Sequence, residues 1–212
     1  TKNLPNGKTV FTSVNPEYQD KISDLVQFFF DNGADPNIPD SFDQIPLIYA
    51  MDIHFDEYAN LLIDSGKIDF TKKFETKPDH DSDIKGVTNR TYLHLIAEER
   101  FISSEFENIF NDIINSGVDV NSVDSNGETP LMTACRARNN SAVRCLFERD
   151  DLDYQKCNND GDDALKILQN VTGKTNTDPT DTKESYLNSL ITMMRNKSGF
   201  GRVVRSIDEN ED

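Results

Sequence analysis

Short apolar runs and polar turns alternate along the chain, and one arrangement of the two recurs. The apolar run leads into a turn that ends on an acidic residue, as in Phe28–Asn37 and Ile113–Asn121. The intervals between these acidic residues are 34, 50 and 34 residues. The residues are Asp35, Asp69, Asp119 and Asp153. Self-similarity at an interval of about 20–50 residues is the signature of repeated structural units that stack on one another.

The clearest copy of the unit begins at Gly127, and its pattern predicts a helix. The hydroxyl of Thr129 can cap a helix, and Pro130 suits the first helical position because the backbone there needs no N–H partner. Three small or apolar residues then follow at helical spacing on one face. They are Leu131, Ala134 and Cys135.

A second helix is predicted directly afterwards. Residues 138–140 interrupt the pattern as a turn, and Val143, Leu146 and Phe147 again share one face. Each unit is therefore two short antiparallel helices and a loop, and neither helix can bury its apolar face alone. Neighbouring units that stack on one another can bury these faces between them. This accounts for an apolar content of 35%, below the usual ~45–50%, and predicts a thin, elongated core.

These residues resemble the ankyrin-repeat family. Residues 127–134 read G-E-T-P-L-M-T-A and residues 33–37 read G-A-D-P-N, and the resemblance extends over about residues 7–168. It implies an all-α solenoid of about five stacked helix–loop–helix units with hairpin loops and degenerate terminal caps. It also implies a protein-binding module that has no catalytic activity of its own.

The copies of the pattern predict a single repeat domain over residues 1–195. Its units are 5–38, 39–71, 86–122, 123–157 and a capping unit 158–195, with a loop insertion at 71–86 and a mobile charged tail at 196–212. In a solenoid, insertions fall in loops and often on the binding face. A tolerated loop without a role is the alternative, because lengthening a loop costs little. A metal bound by Pro78–Asp83 is a further possibility.

The net charge of −16 argues against negatively charged partners. The average field repels nucleic acids and anionic membranes, and no stretch approaches the ~18 apolar residues of a membrane-spanning helix. Three cysteines without C-x-x-C spacing indicate a reducing, intracellular setting, which we expect to be cytoplasmic rather than nuclear. We also expect a monomer.

No enzymatic constellation is visible, so we expect a protein without catalysis, cofactor or metal. There is no nucleophile elbow and no Gly-rich phosphate loop. The resemblance implies that His94 bonds the backbone between neighbouring units. Cys135 is predicted to be a small buried thiol, and Cys157 an exposed one near a loop tip.

The resemblance further implies that a partner touches the hairpin tips and the inner side of each first helix. These positions are Pro39, Ser41, Phe42, Gln44, Asp52 and Ile53 in the second unit, Arg90, Glu98 and Glu99 in the third, Val123, Ser125, Asn126, Glu128, Arg136 and Ala137 in the fourth, and Cys157, Asn159, Asp160 and Asp162 in the fifth. Because the strip is rich in carboxylates and includes an aromatic ring, a protein with basic and apolar groups would complement it.

Three hypotheses follow. The first is a non-catalytic adaptor that binds a protein through this concave strip. The second is a regulatory or targeting segment of a larger enzyme or of a host-directed effector, suggested by a chain that begins without Met. The third places an activity or a metal in the inserted loop.

Overall fold

The computed structural model describes residue 4, residues 7–14, residue 17, residues 21–42, 44–76, 86–98 and 106–172, and residue 192. A single turn of 3-10 helix lies at Phe11–Ser13. Eight α-helices lie within the described residues: α1 (Ile22–Asp31), α2 (Pro46–Asp52), α3 (Asp56–Asp64), α4 (Tyr92–Glu98), α5 (Phe106–Asn115), α6 (Pro130–Ala137), α7 (Asn140–Phe147) and α8 (Ala164–Thr172). Two short strands, β1 (Phe74–Thr76) and β2 (Val87–Arg90), form an antiparallel pair.

The α6–α7 pair has the predicted local structure. The Thr129 side chain accepts the N–H of Met132, and Pro130 is the first residue of α6. Arg138, in the left-handed region at φ 58°, separates the two helices. The Asn139 side chain then caps α7 by accepting the N–H of Ala142 at 3.0 Å. Two helices of eight residues therefore turn back on each other across only Arg138 and Asn139, because Asn140, predicted to belong to the turn, is the first residue of α7.

Consecutive helices pack along the chain of units. The first helices form a row in which α4 packs against α6 and α6 against α8, and the second helix α5 packs against α7. The buried apolar side chains form one cluster that runs from Phe11 to Leu168. The architecture is mostly helical with little strand and fits an all-α repeat fold.

One expected feature differs in the structure, and three others lie largely outside the described residues. The first helix of the first unit is reduced to the 3-10 turn at Phe11–Ser13. The second helix of the capping unit apart from residue 192, the tail 196–212 and the proposed metal ligands in Pro78–Asp83 lie outside the described residues.

The insertion at 71–86 lengthens a hairpin. Phe74 is paired with Arg90 and Thr76 with Val87 across the two strands, so the chain leaves and re-enters the stack as an antiparallel ladder. Residues 74–76 of the insertion are strand β1 of this ladder, and the insertion falls within the repeat interval of 50 residues, whose neighbours are 34.

Candidate functional site

Two neighbouring hairpin tips share one backbone design. Asp124 accepts the N–H groups of Asn126 and Glu128 at 2.8 and 2.9 Å through one carboxylate oxygen. Asn158, 34 residues later, accepts those of Asp160 and Asp162 at 3.0 and 2.9 Å in the same way. One side-chain oxygen thus satisfies two loop N–H groups in each hairpin and holds its tip in a fixed shape.

These tips lie directly side by side. The N–H of Asn159 donates to the carbonyl of Asn126 at 3.0 Å. A Cβ at Gly127, whose φ is +74°, would lie 2.6 Å from the side-chain oxygen of Asn159. Glycine is needed there both for the left-handed backbone and for this close approach.

A groove of about 720 Å³ opens between the hairpin tips and the first helices. Its lining comes from β2 and α4, from the tip that precedes α6, from α6 itself, and from the tip that precedes α8. The lining residues are Val87, Arg90, Glu98, Asp124, Asn126, Glu128, Thr133, Arg136, Ala137, Asn158, Asn159 and Asp160.

Two ion pairs cross the groove wall. Arg90, whose side chain is 7% exposed, lies 2.5 Å from a carboxylate oxygen of Glu98, which is 54% exposed. Arg136 makes a two-pronged contact with Glu128, with one N–O distance of 3.3 Å. This hydrogen bond raises the pKa of Arg136 above its ordinary value, with further support from nearby Asp160 and Asp162.

His94 joins α4 to the hairpin tip that precedes α6. Its Nε2 lies 2.9 Å from the carbonyl oxygen of Glu128, and its Nδ1 lies 3.1 Å from the backbone nitrogen of Thr91. The Thr91 N–H can only donate, so Nδ1 accepts and Nε2 carries the proton. His94 thus ties the third unit to the fourth as expected, and burial lowers its pKa.

The structure brings several predicted contact residues together in the groove. They are Arg90, Glu98, Asn126, Glu128, Arg136, Ala137, Asn159 and Asp160. Their accessibility differs, because Arg90 and Glu128 are buried while Asn126, Arg136 and Asp160 are exposed. The two buried residues shape the wall, and the exposed ones are accessible from solvent.

The other predicted contact residues lie outside the groove lining. They are Pro39, Ser41, Phe42, Gln44, Asp52 and Ile53 near the second unit, and Val123, Ser125, Cys157 and Asp162 beside the later tips. Glu99 lies outside the described residues. The carboxylate of Asp162 is occupied by Lys166.

Four groove residues did not figure among the predicted contacts. They are Val87, Asp124, Thr133 and Asn158. A signal for two of them was present: Asp124 and Asn158 occupy equivalent positions, three residues before the glycine of each tip, where an Asp or Asn side chain is suited to accept loop N–H groups.

The second unit presents a separate exposed tip. The N–H of Ser41 donates to the carbonyl of Gly7 at 2.9 Å, so this tip also stacks on its predecessor. Asp40 holds it by accepting the N–H groups of Phe42 and Gln44, both at 2.9 Å. The ring of Phe42 is 65% exposed, which makes this tip the apolar part of the predicted strip.

The remaining chemistry of the described residues is modest. No group of three or more His, Cys, Asp or Glu side chains there is arranged to hold a metal ion. Cys135 is buried and its pKa is raised to about 12 by burial, whereas Cys157 is exposed. None of the helices found within these residues is long and apolar enough to cross a membrane.

Comparison with known proteins identifies the repeats. Residues 93–169 match the family model of ankyrin repeats, described as three copies. The match runs from α4 into α8 and includes most of the groove-forming elements. No curated protein matches the chain. Ankyrin repeats generally mediate protein–protein interactions. Residues 93–169 of the chain are therefore ankyrin repeats.

Proposed function

We propose that the chain is a monomeric, non-catalytic adaptor that binds another protein through the groove between its hairpin tips and first helices. The proposal includes the full five-unit solenoid, of which the family match covers the later units. One observation carries it: stacked, rigid tips enclose a groove of about 720 Å³ whose rim offers exposed polar and charged side chains.

The surface also suggests the kind of partner. Carboxylates outnumber guanidinium groups in the groove lining, and the chain as a whole carries a charge of −16. Phe42, in the second unit, and Val123, in the fourth, are exposed apolar side chains. A protein with basic groups and some apolar surface is the complementary partner, and a nucleic acid is not.

Asn126→Trp is the variant that tests the groove. Asn126 is exposed and uses its backbone in the tip, so a large neutral side chain should obstruct the groove without disturbing the loop. Asn115→Trp, at the exposed end of α5 and outside the groove lining, is the matched control.

The measurement is affinity capture from source-cell lysate with quantitative mass spectrometry, followed by titration of the captured protein in purified form. We expect a protein that binds the wild type and the control variant and is at least tenfold weaker on Asn126→Trp. Equal binding to all three would place the site elsewhere on the chain.

Charge reversal at Glu128 is a poor test of the same idea. The residue is 9% exposed, its carboxylate contacts Arg136, and its carbonyl accepts from His94. A lysine there would leave a buried charge without a partner and destabilise the fold, so a loss of binding would have two explanations.

A further inference from the structure

The charges that line the groove do not cancel. Glu98 is paired with Arg90, and Glu128 is paired with Arg136. Asp124 and Asp160 also line the groove, and neither forms an ion pair with any residue that the structure describes. Two carboxylates on adjacent hairpins therefore have no ion-pair partner among the described residues, although the guanidinium of Arg136 lies near Asp160.

The hairpin architecture does not require either charge. Asn158 makes the same two loop hydrogen bonds with a neutral amide that Asp124 makes with a carboxylate. Asp160 occupies the tip position at which the preceding hairpin has the neutral Asn126. Because neutral residues meet the structural need at both positions, the two carboxylates are surplus to the fold.

Asp124 is also an unusual place for a surplus charge. It is 8% exposed, and a carboxylate removed from water is costly unless something offsets its charge. Its two hydrogen bonds use only one of its oxygens. A cation in the groove would provide the compensation.

One N–H of a buried guanidinium in the same groove lacks an acceptor. The guanidinium of Arg90 donates to the carbonyl of His94 at 3.3 Å and contacts Glu98, but its Nε has no acceptor among the described residues. Glu98, which contacts Nη1 of the same guanidinium, is half exposed. An oxygen that enters beside Glu98 would supply the acceptor, and a peptide carbonyl is such a group.

We infer that the groove holds an extended peptide segment of the partner, with a lysine or arginine side chain between Asp124 and Asp160 and a backbone carbonyl towards Arg90. This inference rests on the proposed function and names the chemistry of its ligand. The exposed amide of Asn126 offers further hydrogen bonds to a peptide backbone, and the Thr133 hydroxyl, which donates to the Thr129 carbonyl at 3.3 Å, can accept one from a peptide N–H.

The test selects ligands from a phage-displayed library of random 12-residue peptides, with the full chain as bait. We expect the selected peptides to carry Lys or Arg at one fixed position. Replacement of that residue by Met in a synthetic peptide should weaken binding at least tenfold, measured by fluorescence anisotropy.

The matched variants are Asp124→Asn with Asp160→Asn, which place in each hairpin a residue that the other already carries. We expect this double variant to weaken the peptides at least tenfold and to flatten the dependence of their affinity on salt. Asp24→Asn with Asp64→Asn changes the net charge equally at exposed positions outside the groove, and should leave binding unchanged.

The outcomes separate the inference from the proposed function. Peptides that lose binding on Asn126→Trp but bind the Asp124→Asn, Asp160→Asn variant normally would overturn the inference and leave groove binding intact. Peptides indifferent to Asn126→Trp, or a selection that yields none, would overturn both.

Discussion

Two fully buried tyrosines differ in what their hydroxyl groups contact. Tyr58 donates to the carbonyl of Phe11 at 2.7 Å, whereas the hydroxyl of Tyr92 has no partner among the described residues. A buried polar group without a partner costs about 1–3 kcal/mol, and removing one member of a bonded pair costs a similar amount.

We therefore expect the same Tyr→Phe substitution to affect the free energy of unfolding differently at the two positions. Tyr58→Phe should lower the free energy of unfolding by about 1–2 kcal/mol, because it leaves the Phe11 carbonyl unpaired. Tyr92→Phe should leave it unchanged or raise it. Denaturant titration followed by circular dichroism measures both, and equal losses in the two variants would contradict the assignment.

The protonation of His94 predicts a dependence of stability on pH. Burial lowers its pKa below 6.5 in the folded chain, partly opposed by the hydrogen bond to the Glu128 carbonyl. The unfolded chain binds the proton more readily than the folded chain. The contribution of His94 to the free energy of unfolding is therefore fully present above pH 6.5 and is lost as the pH falls towards the lowered pKa of the folded chain.

His94→Gln tests this directly. The variant has no titrating group at this position, so its free energy of unfolding should fall less between about pH 7.5 and pH 5.5 than that of the wild type. Carboxylates titrate equally in both proteins and cancel in the comparison. Parallel pH profiles would show that His94 is not held in its neutral form.

At the scale of the elements, an asparagine in the turn after a unit bonds to the backbone of the turn after the next unit, and this occurs twice along the chain. Asn121 donates to the carbonyl of Asp151 at 2.6 Å and accepts the N–H of Asp153 at 2.7 Å. Asn37 makes the equivalent bonds to Lys67 and Asp69 at 2.8 and 2.7 Å. The side chain thus acts as a clasp between neighbouring units.

Loss of this clasp should destabilise the stack. Asn121→Ala removes both hydrogen bonds and should lower the free energy of unfolding by roughly 1–2 kcal/mol. Asn121→Asp should also lower it, because a carboxylate would face the Asp151 carbonyl. Asn115→Ala, at an exposed position on α5, is the control. An unaffected melting temperature in Asn121→Ala would count against the clasp.

At the scale of the whole molecule, packing is uneven along the stack. Helices pack closely from α4 through α6 to α8, but within the described residues no comparable contact joins α2 to α4. The described contacts at this junction include the β1–β2 ladder and Tyr92, whose ring meets Phe70 and Phe74 edge-on at 5.5 and 4.9 Å.

Because repeat stability is a sum of unit and interface terms, this junction should divide the molecule into two cooperative blocks, residues 7–76 and 86–172. Native-state hydrogen exchange should give each block its own opening free energy. Tyr92→Ala should increase the difference between the two opening free energies. A single opening free energy common to both blocks would show that the junction couples them fully.

The sequence by itself determined the local structure and the repeat. The Thr129–Pro130 start of α6, the turn at residues 138–140 and the 34-residue interval predicted helix pairs that stack, because caps, turns and helical spacing act over a few neighbouring residues. His94 and Cys135 were also placed correctly, since their positions within the unit specify their surroundings.

Only the tertiary structure decided which charges are available to a partner. The predicted strip treated Glu128 and Arg90 as contact residues, but Glu128 is buried against Arg136 and Arg90 against Glu98. The groove also includes Asp124, which the strip omitted. Ion pairing and burial depend on residues from different units meeting in space, and a one-dimensional pattern does not contain those distances.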